Sequence, residues 1–224
     1  MGERELIVSE VPLQTASDLL REALEGFESP RLAVSGGSAA AVLGLARIDL
    51  GHRWKRVRLT WVDERRVPAL DPHSNRGEAY RLGYLDAGDA PAVELPLFLD
   101  GETPAQACLR VEEGLDSLFE GGLDVLLLGL GEDGHSASLF PGAPWPDLRV
   151  HAVDASPKPP AQRITLGLGL LADTPLAILV ALGVTKAPAL ERLLRGDRAL
   201  PASALGELIV VTDQSLIGAP HGRT

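Results

Sequence analysis

Asp133 and His135 stand two residues apart in a loop that also carries Gly129, Gly131 and Gly134, directly after the apolar run 125–128. At that spacing a carboxylate can accept one imidazole N–H and fix the tautomer, which leaves the other ring nitrogen to take a proton from water. Three further places hold polar residues where a β-type run ends. Ser35-Gly36-Gly37-Ser38 follows the run 31–34 and precedes a helical run, so its backbone N–H groups and a helix dipole could receive a phosphate or carboxylate; an ordinary tight turn in which Ser38 only caps the helix would read the same. Asp63-Glu64-Arg65-Arg66 follows the run 57–62 and offers rigid guanidinium forks for phosphate oxygens, with acids that could hold sugar hydroxyls or orient the arginines. A solvated turn is the plain alternative, above all for Arg66. The fourth place is diffuse and joins Lys158, Arg163 and Lys186. The chain has three lysines against 18 arginines, so a lysine at a strand-to-helix junction suggests a need for an ammonium point charge, and Arg163 and Lys186 are the distal cations for a substrate phosphate.

These residues need a scaffold that gathers strand exits. Apolar β-type runs at 6–11, 31–34, 57–62, 93–97, 124–128, 149–153, 177–181 and 207–212 alternate with helical patterns at 17–24, 39–48, 104–118 and 186–195. Thr103 and Thr185 stand where N-caps would be. Runs such as 125–128 and 178–180 show no polar alternation, as expected for central strands of a parallel sheet covered on both faces. The pattern predicts an α/β, Rossmann-like, mostly parallel sheet with helices on both faces, in one domain over 1–224. In such sheets ligands collect at the carboxyl ends of the strands.

The segment 129–134 formally matches G-x-G-x-x-G, and Asp154 lies 20 residues beyond Gly134. A dinucleotide fingerprint also needs a crossover helix, and Pro141, Gly142, Pro144 and Pro146 would break one within about two turns. A nucleotide-dependent oxidoreductase is therefore rejected.

Composition sets the outer limits. With 224 residues, 45% hydrophobic and 23% charged, the chain can bury a sizeable core. A net charge of −10 argues against a nucleic-acid partner, so any anion must be held by a few local cations. Cys108 is the single cysteine, which excludes an internal disulfide and a multi-cysteine metal site; its default role in the helical stretch 104–118 is packing. Residues 1–6 lack the apolar stretch of an export signal, and the longest apolar runs, 125–131 and 176–184, are well short of the roughly 20 residues of a membrane span. These readings predict a cytoplasmic globule with no membrane partner. They leave oligomeric state open, and a monomer is compatible with them.

Taken in order, the motifs resemble the 6-phosphogluconolactonase family, part of the larger glucosamine-6-phosphate isomerase/deaminase-like group. The resemblance rests on Ser35-Gly36-Gly37-Ser38, Asp63-Glu64-Arg65 with Val67-Pro68 and Ser74-Asn75, the block from Gly129 through Gly134-His135-x-Ala137-Ser138-Leu139-Phe140-Pro141-Gly142, Arg163-Ile164-Thr165, and Gly183-x-x-Lys186. It implies hydrolysis of 6-phospho-D-glucono-1,5-lactone without metal or organic cofactor. Asp133 and His135 would be catalytic, and Ser35, Gly36, Gly37, Ser38, Asp63, Glu64, Arg65, Arg163 and Lys186 would bind the substrate and its phosphate. Two positions depart from the family pattern. Ser38-Ala39-Ala40 stands where Ser-Thr-Pro is usual, and Arg76 stands where an aromatic is common after Asn75. The isomerase/deaminase branch follows Gly-His with Ile-Ala-Phe-Asn-Glu-Pro, whose glutamate position is Phe140 here. A non-catalytic sugar-phosphate sensor would keep the anion loop without needing both Asp133 and His135.

Overall fold

Apolar, β-branched runs buried on both sides form the centre of the molecule. A computed structural model describes residues 3–214; Met1 and Gly2, part of the stretch read for an export signal, lie outside the described residues. Seven strands form one sheet: β1 (Arg4–Val8), β2 (Arg31–Val34), β3 (Arg58–Trp61), β5 (Val93–Leu95), β6 (Val125–Gly129), β9 (Leu176–Ala181) and β10 (Glu207–Thr212). Their order is β1-β10-β9-β6-β2-β3-β5, and every pairing is parallel. Leu32 to Val34, Val125 to Leu128, Ile178 and Leu179 are buried, which explains why these runs lack polar alternation.

Helices α1 (Pro12–Glu25), α2 (Ser38–Leu50), α3 (Asn75–Arg81), α4 (Pro104–Phe119), α5 (Leu168–Ala172) and α6 (Ala187–Leu194) connect and cover the strands. Pro12 at the first turn of α1 starts that helix earlier than the predicted 17–24 and ends the first strand at Val8 rather than residue 11. Thr103 caps α4 in a capping box with Gln106. Thr185 does not cap a helix; it lies inside a 3-10 turn, Val184–Lys186, and α6 begins at Ala187 without a side-chain cap. Helices α3 and α5 escaped the sequence pattern because seven and five residues are too short to show a helical period. Among the described residues, no helix is long and apolar enough to cross a membrane.

A second, three-stranded antiparallel sheet was not legible in sequence. Its order is β4 (Asp63–Arg65), β8 (Arg163–Leu166), β7 (Val150–Val153). The run 149–153 therefore belongs to this small sheet and not to the parallel one, and Arg163-Ile164-Thr165, which was not among the predicted runs, lies in strand β8. The link to the main sheet is Val62, whose N–H donates to Val34 and whose carbonyl accepts from the Leu166 N–H.

The order of the main sheet places the site. From β2 the chain winds outward through β3 to β5; from β6 it winds the other way through β9 and β10. Strands β2 and β6 are neighbours at this reversal, so their two exit loops separate and leave a crevice at the carboxyl ends of the strands. The small sheet, continuing from β3, stands beside the crevice.

Candidate active site

The crevice is a cleft of about 300 Å³ lined by all four residues of the β2 exit (Ser35 to Ser38), by Asp63, Arg65 and Asn75, by Gly129 to Gly131 and His135 to Ala137 after β6, and by Lys158, Arg163 and Lys186. Four cationic side chains against the one lining carboxylate, Asp63, make it positive inside a chain of net charge −10.

The β2 exit turns sharply at Gly37 (φ +64°) into α2. A Cβ on Gly36 would collide with the Asn75 side-chain carbonyl, so only glycine lets this backbone and Asn75 approach. Helix α2 starts without the proline usual in the family; Ala39 and Ala40 are instead buried against the core. Its first N–H groups have no helical partner and lie beside the cleft.

The two acids of β4 diverge because alternate residues of a strand face opposite sides. Asp63 is buried at the cleft, accepting from Ser138 Oγ at 2.6 Å, from Asn75 Nδ2 at 3.4 Å and from Arg163 Nη1 at 3.5 Å. Glu64 is not brought to the cleft. It accepts the backbone N–H groups of Arg65 (2.7 Å), Asn75 (2.8 Å) and Arg76 (2.9 Å) and the Ser74 hydroxyl (3.1 Å), so it holds the start of α3 and thereby Asn75. Burial pushes its carboxyl up, with the three N–H donors opposing. Arg76 makes a bidentate pair with Glu94 (2.7 and 2.9 Å) and lies over the Tyr80 ring, so its charge is paired. Arg65 donates to the His73 carbonyl at 2.6 Å, while its buried Nε has no partner among the described residues. Arg66 leaves the cleft and pairs with Asp154 at 3.0 Å.

After β6 the chain forms a tight loop, Gly131 N–H donating to the His135 carbonyl and Gly134 N–H to Gly131. No helix intervenes before β7, as the prolines required. Asp133 Oδ1 lies 2.5 Å from His135 Nδ1. A carboxylate at that distance assigns the proton to Nδ1 and leaves Nε2 as the acceptor. Asp133 itself does not line the cleft. Burial lowers the His135 pKa below its ordinary 6.5, with the Asp133 bond and charge opposing, so the ring is neutral at neutral pH. For Asp133 burial pushes upward, but the hydrogen bonds and charge of His135 outweigh it and leave the carboxyl below its usual range. A Cβ on Gly131 would collide with the His135 ring. Phe140 packs on the other side, ring centroids 4.6 Å apart.

Arg163 lines the cleft but is nearly fully buried, with donors already directed at Asp63, Ser138 and backbone carbonyls of 158–160. Lys186 sits at the β9 exit, in the turn after Gly183. Sequence reasoning left three site residues unassigned. Asn75 and Ser138 appeared only as parts of motifs, and Lys158, at 3.8 Å from Asp133, was noted only for the rarity of lysine. Among the described residues, no three His, Cys, Asp or Glu side chains form a cluster suited to a metal. Cys108 is half-buried in α4, and burial raises its thiol pKa.

A family model described as glucosamine-6-phosphate isomerases/6-phosphogluconolactonase matches residues 8–211. A 6-phosphogluconolactonase from Caulobacter vibrioides is 37% identical over 185 residues, covering 77% of this chain and 76% of that protein. The structure of a 6-phosphogluconolactonase from Thermotoga maritima superposes with a TM-score of 0.80 at 22% identity, over 94% of this chain and 99% of that one. A monomeric glucosamine-6-phosphate deaminase superposes nearly as well, with a TM-score of 0.77 at 21% identity over 95% of this chain and 97% of that one. The fold is thus shared by both chemistries, and the site residues must separate them. By the extent of these matches, the chain belongs to the glucosamine-6-phosphate isomerase/6-phosphogluconolactonase family.

Proposed function

We propose that the protein hydrolyses 6-phospho-D-glucono-1,5-lactone to 6-phospho-D-gluconate, the lactonase step of the oxidative pentose phosphate pathway, as a carboxylic ester hydrolase. The observation that carries this reading is a neutral, Asp133-oriented His135 inside a cationic cleft, with Phe140 rather than a carboxylate packed against its ring. A deaminase of this family would need the ring-opening glutamate that Phe140 replaces. A lactone is already electrophilic and needs only an activated water and a place for the charge that develops on its carbonyl oxygen.

His135 Nε2 takes a proton from water as the oxygen attacks C1. The tetrahedral intermediate collapses with loss of the ring oxygen, which receives that proton back from the imidazolium, and the new acid ionises. Arg65, which lines the cleft, Lys186 and the backbone N–H groups of Gly36 to Ser38 hold the phosphate dianion, with Ser35 supporting the turn. In this reading Asp63 and Asn75, which line the cleft, bind the sugar hydroxyls, and Glu64 acts behind them by fixing α3. The whole chain works as one domain.

The test follows disappearance of lactone generated in place, against a blank without protein. Wild-type protein should hydrolyse it far above the blank. A folded His135→Ala variant should lose roughly 10²- to 10⁴-fold in kcat with little change in KM. Wild-type turnover no faster than the blank would remove the lactonase reading; full activity in His135→Ala would keep it and pass the role of base to Asp63.

A further inference from the structure

One loop in the cleft is built with more care than a connection needs. Residues 156–161 are closed by the Ser156 N–H donating to the Ala161 carbonyl at 2.9 Å. Within them the Lys158 carbonyl is pinned from two sides, by Arg163 Nη2 at 3.0 Å and by the Ser156 hydroxyl at 2.9 Å. The Lys158 N–H donates back to Ser156 Oγ at 3.2 Å, and Pro157 and Pro159 flank it, restricting the backbone further. Arg163 completes the clamp by donating from Nε to the Pro160 carbonyl at 3.0 Å. The backbone of Lys158 is thus held by three hydrogen bonds while its ammonium group stays half-exposed in the cleft, 3.8 Å from Asp133 Oδ1.

That position is at the base, not at a separate anion pocket. In the 1,5-lactone the ring oxygen joins C1 to C5, so the phosphate on C6 is only a few bonds from the carbonyl. Arg65, Lys186 and the β2 exit are the groups assigned to that phosphate, which leaves Lys158, beside the Asp133–His135 pair, as the cation for the carbonyl oxygen, where negative charge appears only during reaction. On the proposed lactonase reading, we propose that Lys158 is a catalytic residue that stabilises the oxyanion formed at C1, and that Arg163 is a positioning residue that holds Lys158 there rather than a ligand of the phosphate. The oxyanion gains a charge-assisted contact that the neutral carbonyl does not, so the interaction favours the transition state over the bound substrate.

The charged groups facing His135 are Asp133 on its own loop, Asp63 on β4, Lys158 on its loop and Arg163, which lies over Phe140; Arg192 of α6 reaches the Asp133 carbonyl at 3.5 Å. Of these, Lys158 opposes protonation of the ring. Removing its charge should move the acid limb of the kcat profile to higher pH, a change that a purely structural loop residue would not cause.

Five proteins decide the matter: wild type, Lys158→Met, Lys158→Arg, Arg163→Gln and the double variant Lys158→Met with Arg163→Gln, each checked by thermal melting. Lys158→Met should lower kcat on the order of 10²-fold, as for loss of one oxyanion donor, with KM changed less than about threefold. Lys158→Arg should recover part of the loss. Arg163→Gln should also reduce kcat, and joining it to Lys158→Met should cost little more, because the two act as one unit. A rise in KM at unchanged kcat in Lys158→Met would instead make Lys158 a phosphate ligand and overturn the proposal, as would no effect at all. Should Arg163→Gln fail to fold, the Lys158 variants decide alone. An inactive wild type overturns this inference together with the lactonase reading; an active wild type with an unimpaired Lys158→Met overturns this inference only.

Discussion

At the scale of single residues, His135 carries the chemistry because its surroundings act on it in opposite directions. Burial favours the neutral ring, Asp133 favours the charged one, and burial prevails. The neutral form is the one that can accept a proton, so log kcat/KM should fall with unit slope as pH drops through a pKa below 6.5. A pH–rate profile measures this, and a limb centred above 6.5 would show that another group sets it. The same shift bears on stability. A histidine whose folded pKa is lowered binds its proton more readily when unfolded, so its contribution is complete above the unfolded value near 6.5 and is lost as pH falls below it. The spacing of Asp133 and His135 made their pairing readable from sequence. The opposed roles of Asp63 and Glu64 were not readable, since both follow the same strand and only the fold decides which faces the cleft.

At the scale of elements, the loop after β6 works because glycine leaves room for the histidine ring. Gly131→Ala should push the ring out of line without unfolding the protein, lowering kcat on the order of 10²-fold, as expected for misplacement by about 1 Å. Steady-state kinetics beside a melting curve would check this; an active Gly131→Ala variant would mean that the ring can yield and still work. The principal strands were legible because buried parallel strands are continuous apolar runs. Strand β4 was not, since Asp-Glu-Arg has no apolar face and forms a strand only by pairing with β8. Thr103 capped its helix as predicted because a proline follows and Gln106 completes the box, whereas Thr185 was taken into a 3-10 turn.

At the scale of the whole molecule, the two ends of the described chain meet, with β1 paired along its length to β10, and the small sheet is bonded to the main one through Val62. Neither sheet has a separable core, so unfolding should be a single cooperative event. Denaturation followed by far-UV circular dichroism and by fluorescence of the buried Trp54 and Trp61 should give coincident curves. Two resolved transitions would show that the small sheet and its loops form a unit of their own.

By itself the sequence determined the α/β class, the strand exits that carry polar residues, the Asp133–His135 pairing and the absence of a crossover helix after Gly134. Each is written in neighbouring residues, through hydrophobic period, helix-breaking prolines or a two-residue spacing. Tertiary structure alone decided the strand order that opens a crevice between β2 and β6, the second sheet, the withdrawal of Glu64 into α3, and the convergence of Arg163 and Lys158 on Asp63 and Asp133. Those depend on contacts between residues far apart in the chain, 100 positions in the case of Asp63 with Arg163. No local pattern encodes such a contact, because its energy exists only once the chain has folded around it.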